Sequence, residues 1–201
     1  MKLYTFPPAP NPRKLAVYLG EKQIEIPVEI VNLLEGEQSS PEFVAINWLG
    51  AVPVLELDDG TRLSESLAIV EYLEELNPEP PMIGIEPLER ARVREAERLI
   101  DIGVLMRTAR IVHNRRSPLP GVVGDAALAE REMERLPRIL GLIDERIGSR
   151  PFVVGDRPTI ADCSLFAALS FGQLFGLEPD ARFTNVRRWY AAFGERPSAQ
   201  L

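Results

Sequence analysis

The fold is decided by residues 51–69, AVPVLELDDGTRLSESLAI. Two short apolar runs, at 54–57 and 61–63, flank an Asp-Asp-Gly segment, and this pattern is typical of a β-hairpin. From residue 64 onward the apolar side chains recur at helical spacing, with Leu67, Ile69 and Leu73 on one face. The stretch therefore predicts a hairpin followed directly by an amphipathic helix.

Upstream of this stretch the chain alternates between strand and helix patterns. Residues 2–6 and 26–31 are predicted strands, and a helix is predicted from Pro12 to near Gly20, because proline is tolerated in a first helical turn. Residues 41–46 are predicted to form one or two further helical turns. The order β-α-β-(α)-β-β-α indicates a compact α/β domain.

Downstream, strand patterns almost disappear. Prolines cluster at 78, 80, 81 and 87, as expected of an interdomain linker. Helices are then predicted at 88–114, 125–147, 160–171 and 185–194, with Pro137 kinking the second. We therefore predict an α/β domain at 1–77, a linker at 78–87 and an all-helical domain at 88–201.

Composition excludes several classes of function. The 201 residues carry 23 basic and 30 acidic side chains, a net charge of −7, which disfavours nucleic-acid binding. One cysteine, Cys163, and one histidine, His113, allow no internal disulfide, no Cys-x-x-Cys centre and no four-ligand zinc site. His113 pairs with no recognisable Ser or Cys. No apolar run is long enough to span a membrane, and no signal peptide is recognised, so a cytoplasmic protein is expected.

Two short segments are candidates for ligand binding. An X-Pro bond at Val52-Pro53 can be cis, which would turn the backbone of Val52 outward as an unpaired strand edge for a peptide; a plain turn proline is the alternative. The helix start near residue 64 offers free N–H groups for a carboxylate, with a hydroxyl from Ser66 and a carboxylate from Glu65 for a ligand ammonium. The alternative there is simple capping by Ser64.

Together these segments resemble the cytosolic glutathione transferases, over essentially the whole chain. The resemblance rests on residues 41–47 (PEFVAIN), 50–55 (GAVPVL), 65–69 (ESLAI) and 159–162 (TIAD), the last being similar to the capping box of the family's helical domain. It implies a thioredoxin-like N-terminal domain followed by an all-α domain, and a homodimer.

The resemblance also implies the residues that bind glutathione as co-substrate, with no metal or other cofactor. Val52, beside Pro53, would bind the cysteinyl backbone, and Glu65 and Ser66 would hold the γ-glutamyl end. Gln38 would contact the glycyl end. The second substrate would be a small hydrophobic electrophile or a disulfide.

The residue that activates the glutathione sulfur is less obvious. Family members place a Tyr, Ser or Cys near the end of the first strand, whereas residues 7–14 read PPAPNPRK. This loop is similar to the Thr-Pro-Asn of the bacterial Nu-like group, which includes disulfide-bond reductases, with Ala9 in place of the Thr. Asn11 is the predicted sulfur-side residue, its amide and neighbouring helix-start N–H groups stabilising a thiolate. A turn or cap role is the alternative, and Tyr4 and Thr5 are further candidates.

Other positions depart from the family pattern or leave alternatives open. Ala51 stands where many relatives carry a basic residue, and Trp48 replaces a proline, so that its ring is either an interface anchor or packed on its own domain. Cys163 is expected in the core. His113 and the neighbouring arginines 107, 110, 115 and 116 either balance a helix end or line the second-substrate cleft. The predicted function is an enzyme; a non-catalytic binding or scaffold module is the alternative.

Overall fold

The computed structural model describes residues 1–200, and the chain forms a sheet-containing part followed by a helical part. The first is a four-stranded sheet of order β2-β1-β3-β4, in which β1 and β2 are parallel and the other pairs antiparallel. Its elements are β1 (Lys2–Thr5), α1 (Pro10–Lys22), β2 (Val28–Ile30), α2 (Pro41–Val44), β3 (Val54–Glu56), β4 (Arg62–Ser64) and α3 (Ser66–Leu76). The predicted α/β thioredoxin-like fold is confirmed.

The rest of the described chain is helical, as predicted. Its helices are α4 (Pro87–Ile100), α5 (Met106–Arg116), α6 (Ala126–Ile147), α7 (Ile160–Leu174) and α8 (Thr184–Gly194). No helix within residues 1–200 has the length and apolarity needed to cross a membrane. The domain limits at 77 and 88 stay predictions; the nearest elements are α3, which ends at Leu76, and α4, which begins at Pro87.

The predicted single helix over 88–114 is interrupted. A π-helical segment, Asp101–Leu105, separates α4 from α5. Within it, a Cβ on Gly103 would lie 2.8 Å from Cγ2 of Ile139, so α6 packs directly on bare backbone at this point. Only glycine permits this approach, and π-helical turns are often found at functional sites.

A buried capping box fixes the start of α7. The side chain of Asp162 is fully buried, and its Oδ2 accepts from the Thr159 backbone N–H at 2.9 Å and from the Thr159 hydroxyl at 3.0 Å. Its Oδ1 accepts from the Val153 N–H and from Trp189 Nε1, both at 2.9 Å. One carboxylate therefore satisfies four donors from three segments, and the predicted capping box is confirmed.

A buried ionic cluster joins α1 to α4. Lys14 is 1% exposed, and its Nζ lies 2.9 Å from Asp101 Oδ1 and 3.3 Å from Glu97 Oε1. Ser164 on α7 donates to the same Glu97 oxygen at 3.2 Å. Because removing one partner of such a cluster leaves a charge unpaired in the interior, these contacts fix how α1 sits on the helical domain.

Candidate functional site

The sulfur-side candidate, Asn11, lies in the first turn of α1. The helix begins at Pro10, two residues before the predicted start at Pro12, and Ala9 is its N-cap. Pro10 and Pro12 have no N–H, and the Arg13 N–H bonds to the Ala9 carbonyl at 2.9 Å. The expectation of several neighbouring helix-start N–H groups is therefore wrong: among residues 10–12, only Asn11 brings a backbone donor, and it makes no hydrogen bond with the described residues.

The side chain of Asn11 is oriented by Ser66, the residue predicted to hold the γ-glutamyl end of glutathione. Its Oδ1 accepts a hydrogen bond from Ser66 Oγ at 3.3 Å, between residues 55 positions apart in sequence. With Oδ1 engaged, the Nδ2 group is the part of the amide left without a partner within the described chain. Asn11 therefore presents two donor groups, the backbone N–H and the side-chain Nδ2 amide.

The start of α3 supplies a second group of donors. Its first intrahelical bond runs from the Ile69 N–H to the Glu65 carbonyl at 3.1 Å. The N–H groups of Ser66, Leu67 and Ala68 precede that bond and have no partner among the described residues. Ser64 ends β4 and does not cap the helix, since Glu65 is the N-cap and no side chain bonds to this end. The helix therefore presents unsatisfied donors where an anion can bind.

Glu65 has an uncommon backbone conformation. Its φ is +70° and its ψ is 113°, in a region that side-chain-bearing residues rarely adopt. Its side chain is exposed. A residue in such a conformation destabilises the fold by about 1–3 kcal/mol, and such residues cluster at ligand sites. At Glu65 this strained backbone places the carboxylate beside the helix start.

The strand edge predicted at Val52 lies next to this helix. The Val52–Pro53 bond is cis, as the sequence suggested. Val54 pairs with Ser64 across the β3–β4 hairpin, which brings Val52 and Pro53 alongside Glu65 and Ser66. Within residues 1–200, the backbone N–H and C=O of Val52 make no hydrogen bond, so the N–H can donate to an extended peptide and the C=O can accept from it.

Gln38 follows β2 at the same end of the sheet, in a 3₁₀ turn, Glu37–Ser39. A Cβ on Gly50 would lie 3.0 Å from the Gln38 carbonyl oxygen, which places Gln38 against the loop that leads to Val52. Its side-chain Oε1 is buried and has no hydrogen-bond partner. The fold thus brings the six predicted site residues to one end of the sheet, while their roles stay predictions.

The other candidates for thiol chemistry are buried or committed elsewhere. Tyr4 is 3% exposed, and its ring packs edge-on against Phe43 with centroids 6.1 Å apart. Thr5 is buried as well. Cys163 is fully buried on α7, as expected, and burial raises the pKa of its thiol well above the ordinary value. A neutral, enclosed thiol is a core group and not a nucleophile.

Two further expectations are corrected or decided by the structure. His113 does have a serine partner: its Nδ1 lies 3.0 Å from Ser117 Oγ, one helical turn along the chain. The same hydroxyl accepts from the Leu119 N–H, so the His113–Ser117 pair lies at the C-terminal end of α5. Burial lowers the pKa of His113.

Trp48 is 80% exposed, which excludes packing on its own domain.

A thioredoxin-like domain carrying helix-start donors and an open strand edge, joined to an all-α domain, defines the class of glutathione transferase-like proteins. Two family descriptions match: "Glutathione S-transferase, N-terminal domain" over residues 3–81 and "Glutathione S-transferase, C-terminal domain" over residues 100–197. The chain belongs to the glutathione S-transferase family.

Individual relatives agree with this assignment. Glutathione S-transferase 2 of Saccharomyces cerevisiae is 31% identical over 100% of this chain and 88% of its own length. The crystal structure of Gtt2 from the same species superposes with a TM-score of 0.93 at 30% identity, covering 100% of this chain and 99% of that one. A glutathione transferase from Burkholderia graminis, solved with two glutathione molecules bound per subunit, has a TM-score of 0.81 at 25% identity, covering 99% of this chain and 85% of that one.

Proposed function

We propose that the protein is a glutathione transferase in which Asn11 stabilises the glutathione thiolate. The observation that carries this proposal is the contact between Asn11 and Ser66, because it joins a sulfur-side donor to a carboxylate-binding helix start. The family assignment supports the same function. Lacking a cysteine pair, the protein uses the thiol of its bound tripeptide.

Each end of glutathione has a complementary group in the site. The α-carboxylate of the γ-glutamyl residue binds the free N–H groups at the start of α3 and the hydroxyl of Ser66, where the helix dipole favours negative charge. Its ammonium pairs with Glu65. The cysteinyl backbone pairs with the open edge at Val52, whose geometry Pro53 fixes, and the glycyl end contacts Gln38.

The chemical step follows from the two donors of Asn11. A free thiol has a pKa of about 8.5, and each unit of lowering corresponds to roughly 1.4 kcal/mol in favour of the thiolate. The Asn11 backbone N–H and Nδ2 donate to the sulfur and the thiol proton leaves to solvent. The thiolate then forms a carbon–sulfur bond with an electrophile while the leaving group departs with its electron pair.

The test measures binding and chemistry separately. Titration calorimetry gives the Kd of glutathione; at 100 times this concentration, the free energy of unfolding should rise by about 2.7 kcal/mol, several degrees of melting temperature. Conjugation of 1-chloro-2,4-dinitrobenzene and glutathione-dependent reduction of 2-hydroxyethyl disulfide report the two candidate reactions. Binding without either activity would instead support the non-catalytic scaffold, and no thermal shift at millimolar glutathione would overturn the binding site itself.

We further propose a cytoplasmic homodimer. Trp48 is 80% exposed beside Leu49 at 49%, and a large exposed ring with an apolar neighbour is suited to anchor an interface. Light scattering should give twice the chain mass, and Trp48→Ala should shift the protein toward monomer. A monomeric parent at micromolar concentration would contradict this.

A further inference from the structure

A cavity of about 740 Å³ lies at the C-terminal ends of α5 and α7. Apolar side chains form part of its lining, among them Ile111, Leu174 and Phe175. Arg115 and Arg116, the last two residues of α5, line it as well. The cavity thus combines an apolar wall with two guanidinium groups.

These two arginines differ from the others on the same helix. Arg107 and Arg110 both pair with the buried carboxylate of Glu132 on α6. Arg115 and Arg116 have no ion pair or hydrogen bond within residues 1–200, and no carboxylate is among the residues that line the cavity. The C-terminal end of a helix carries only about half a negative charge, so the pair stays net positive.

The direction of α1 places the cavity on the Asn11 side of the molecule. Lys22, at the end of α1, donates to the Pro80 carbonyl, and Ile160, at the start of α7, donates to the nearby Met82 carbonyl. Near the other end of α1, the Arg13 guanidinium lies 5.6 Å from the ring centroid of Phe166, further along α7. The two helices are therefore antiparallel, and the first turn of α1 points toward the end of α7 that lines the cavity.

The loop after α5 gives a second link to the glutathione side. Pro118 lines the cavity, and two residues later Pro120 Cγ lies 3.5 Å from where a Cβ on Gly36 would be. Gly36 immediately precedes the 3₁₀ turn that carries Gln38. The cavity and the proposed glutathione site are therefore connected through one loop contact.

We propose that this cavity binds the anionic end of the second substrate, an aromatic electrophile that carries a carboxylate or sulfonate. The inference rests on the proposed function: the apolar wall takes the ring, Arg115 and Arg116 bind the anion, and the reactive carbon faces the sulfur at Asn11. Guanidinium groups suit such anions because they donate paired hydrogen bonds in a planar geometry.

Two fluorescent probes test the cavity without catalysis. 8-Anilinonaphthalene-1-sulfonate carries a sulfonate, and N-phenyl-1-naphthylamine has the same rings without it. In the double variant Arg115→Gln/Arg116→Gln, the Kd of the sulfonate should rise about tenfold, as expected for loss of charge-assisted contacts. The neutral probe should bind unchanged, and Phe175→Ala should weaken both. Arg131→Gln is the matched control, because Arg131 is an exposed arginine on α6 that does not line the cavity.

Kinetics then connect the cavity to the reaction. The double variant should raise the KM for 4-chloro-3-nitrobenzoate about tenfold and leave the KM for neutral 1-chloro-2,4-dinitrobenzene unchanged. Calorimetry should give the same Kd for glutathione in the parent and the variant. Equal losses for both electrophiles, or sulfonate binding that the double variant does not alter, would overturn the proposal. If glutathione itself fails to bind, the proposed function fails, while the two probes still decide the cavity.

Discussion

Ser66 Oγ donates to Asn11 Oδ1 across 3.3 Å, joining the first turn of α3 to the first turn of α1. A hydroxyl has one proton to donate, so Ser66 cannot donate to Asn11 and to a ligand carboxylate at the same moment. Binding of the γ-glutamyl end must therefore rearrange the hydrogen bond that holds the Asn11 amide. The two ends of the proposed glutathione site are energetically coupled through this one side chain.

Replacing Asn11 tests the sulfur-side donor. Asn11→Ala removes Nδ2 but keeps the backbone N–H, so kcat/KM for conjugation should fall roughly 10- to 100-fold. Asn11→Asp should cost more, because its charge opposes a thiolate. The ultraviolet absorbance of the bound thiolate, followed against pH, should show a raised thiol pKa in both variants. An unchanged thiol pKa would exclude Asn11 from this role.

Ser66 is expected to act mainly through binding. Ser66→Ala removes a hydrogen bond to the ligand carboxylate and should raise the calorimetric Kd of glutathione about tenfold. Ser64→Ala is the matched control, since Ser64 ends β4 two residues earlier and is not in the proposed site. Equal effects of the two substitutions would indicate a general disturbance of the hairpin and not a specific contact.

The strain at Glu65 predicts opposite effects on stability and binding. Glu65→Gly allows the φ of +70° without steric cost, so the melting temperature should rise or stay level while glutathione affinity falls. Glu65→Ala loses the same carboxylate but keeps the strain, and should weaken binding without any gain in stability. Thermal unfolding with and without glutathione separates the two effects. A less stable Gly variant would contradict this account.

Asp162 is expected to dominate the stability of the helical domain. Asp162→Ala leaves four buried donors without an acceptor, and urea unfolding should show a loss of about 3–5 kcal/mol. Asp156→Ala, at an exposed position six residues before, should change the free energy of unfolding by less than about 0.5 kcal/mol. A loss below about 1 kcal/mol for Asp162→Ala would show that the box is dispensable.

The contact of Glu21 on α1 with Arg196 and Ser198 should be sensitive to acid. Burial opposes ionisation of Glu21, but hydrogen bonds from Arg196, at 2.6 and 2.7 Å, and from Ser198 outweigh it and lower the pKa of Glu21 below its ordinary value. The stabilisation from Glu21 is thus complete above the unfolded-state pKa near 4.5 and is lost as pH falls through the lower folded-state pKa.

Urea unfolding of the parent and of Glu21→Gln measures this directly. The difference in unfolding free energy between the two proteins should be largest at neutral pH and should shrink once the pH drops below 4.5. Glu25→Gln, at an exposed position just beyond the end of α1, is the control. A difference that does not change with pH would mean that Glu21 contributes by packing alone.

Local patterns were enough to predict most of the fold. The β3–β4 hairpin follows from Asp-Asp-Gly between two apolar runs, and the capping box at Thr159 and Asp162 needs only residues three apart. The strand edge at Val52 was predicted in the same way, and the α3 start was predicted near residue 64, two residues before its position at Ser66. These features depend on neighbours in sequence, so a single chain carries the information.

Long-range features could not be predicted in this way. The contact of Ser66 with Asn11 depends on how two helices meet, and the buried position of Lys14 depends on carboxylates more than 80 residues away. The close approach of Ile139 to Gly103 in the π-helical segment depends on how α6 packs there. The exposure of Trp48 likewise depends on how distant parts of the chain pack.

The prolines on either side of Asn11 have a consequence for how the activity responds to pH. In the proposed site they leave the glutathione sulfur facing a single residue, Asn11, whose backbone and side-chain amides neither gain nor lose a proton in the physiological range. A tyrosine or cysteine at this position would add its own titration to the rate profile. Here the inflection near neutrality would belong to the tripeptide, so the substrate itself, and not a side chain, would set the acidity at which turnover begins.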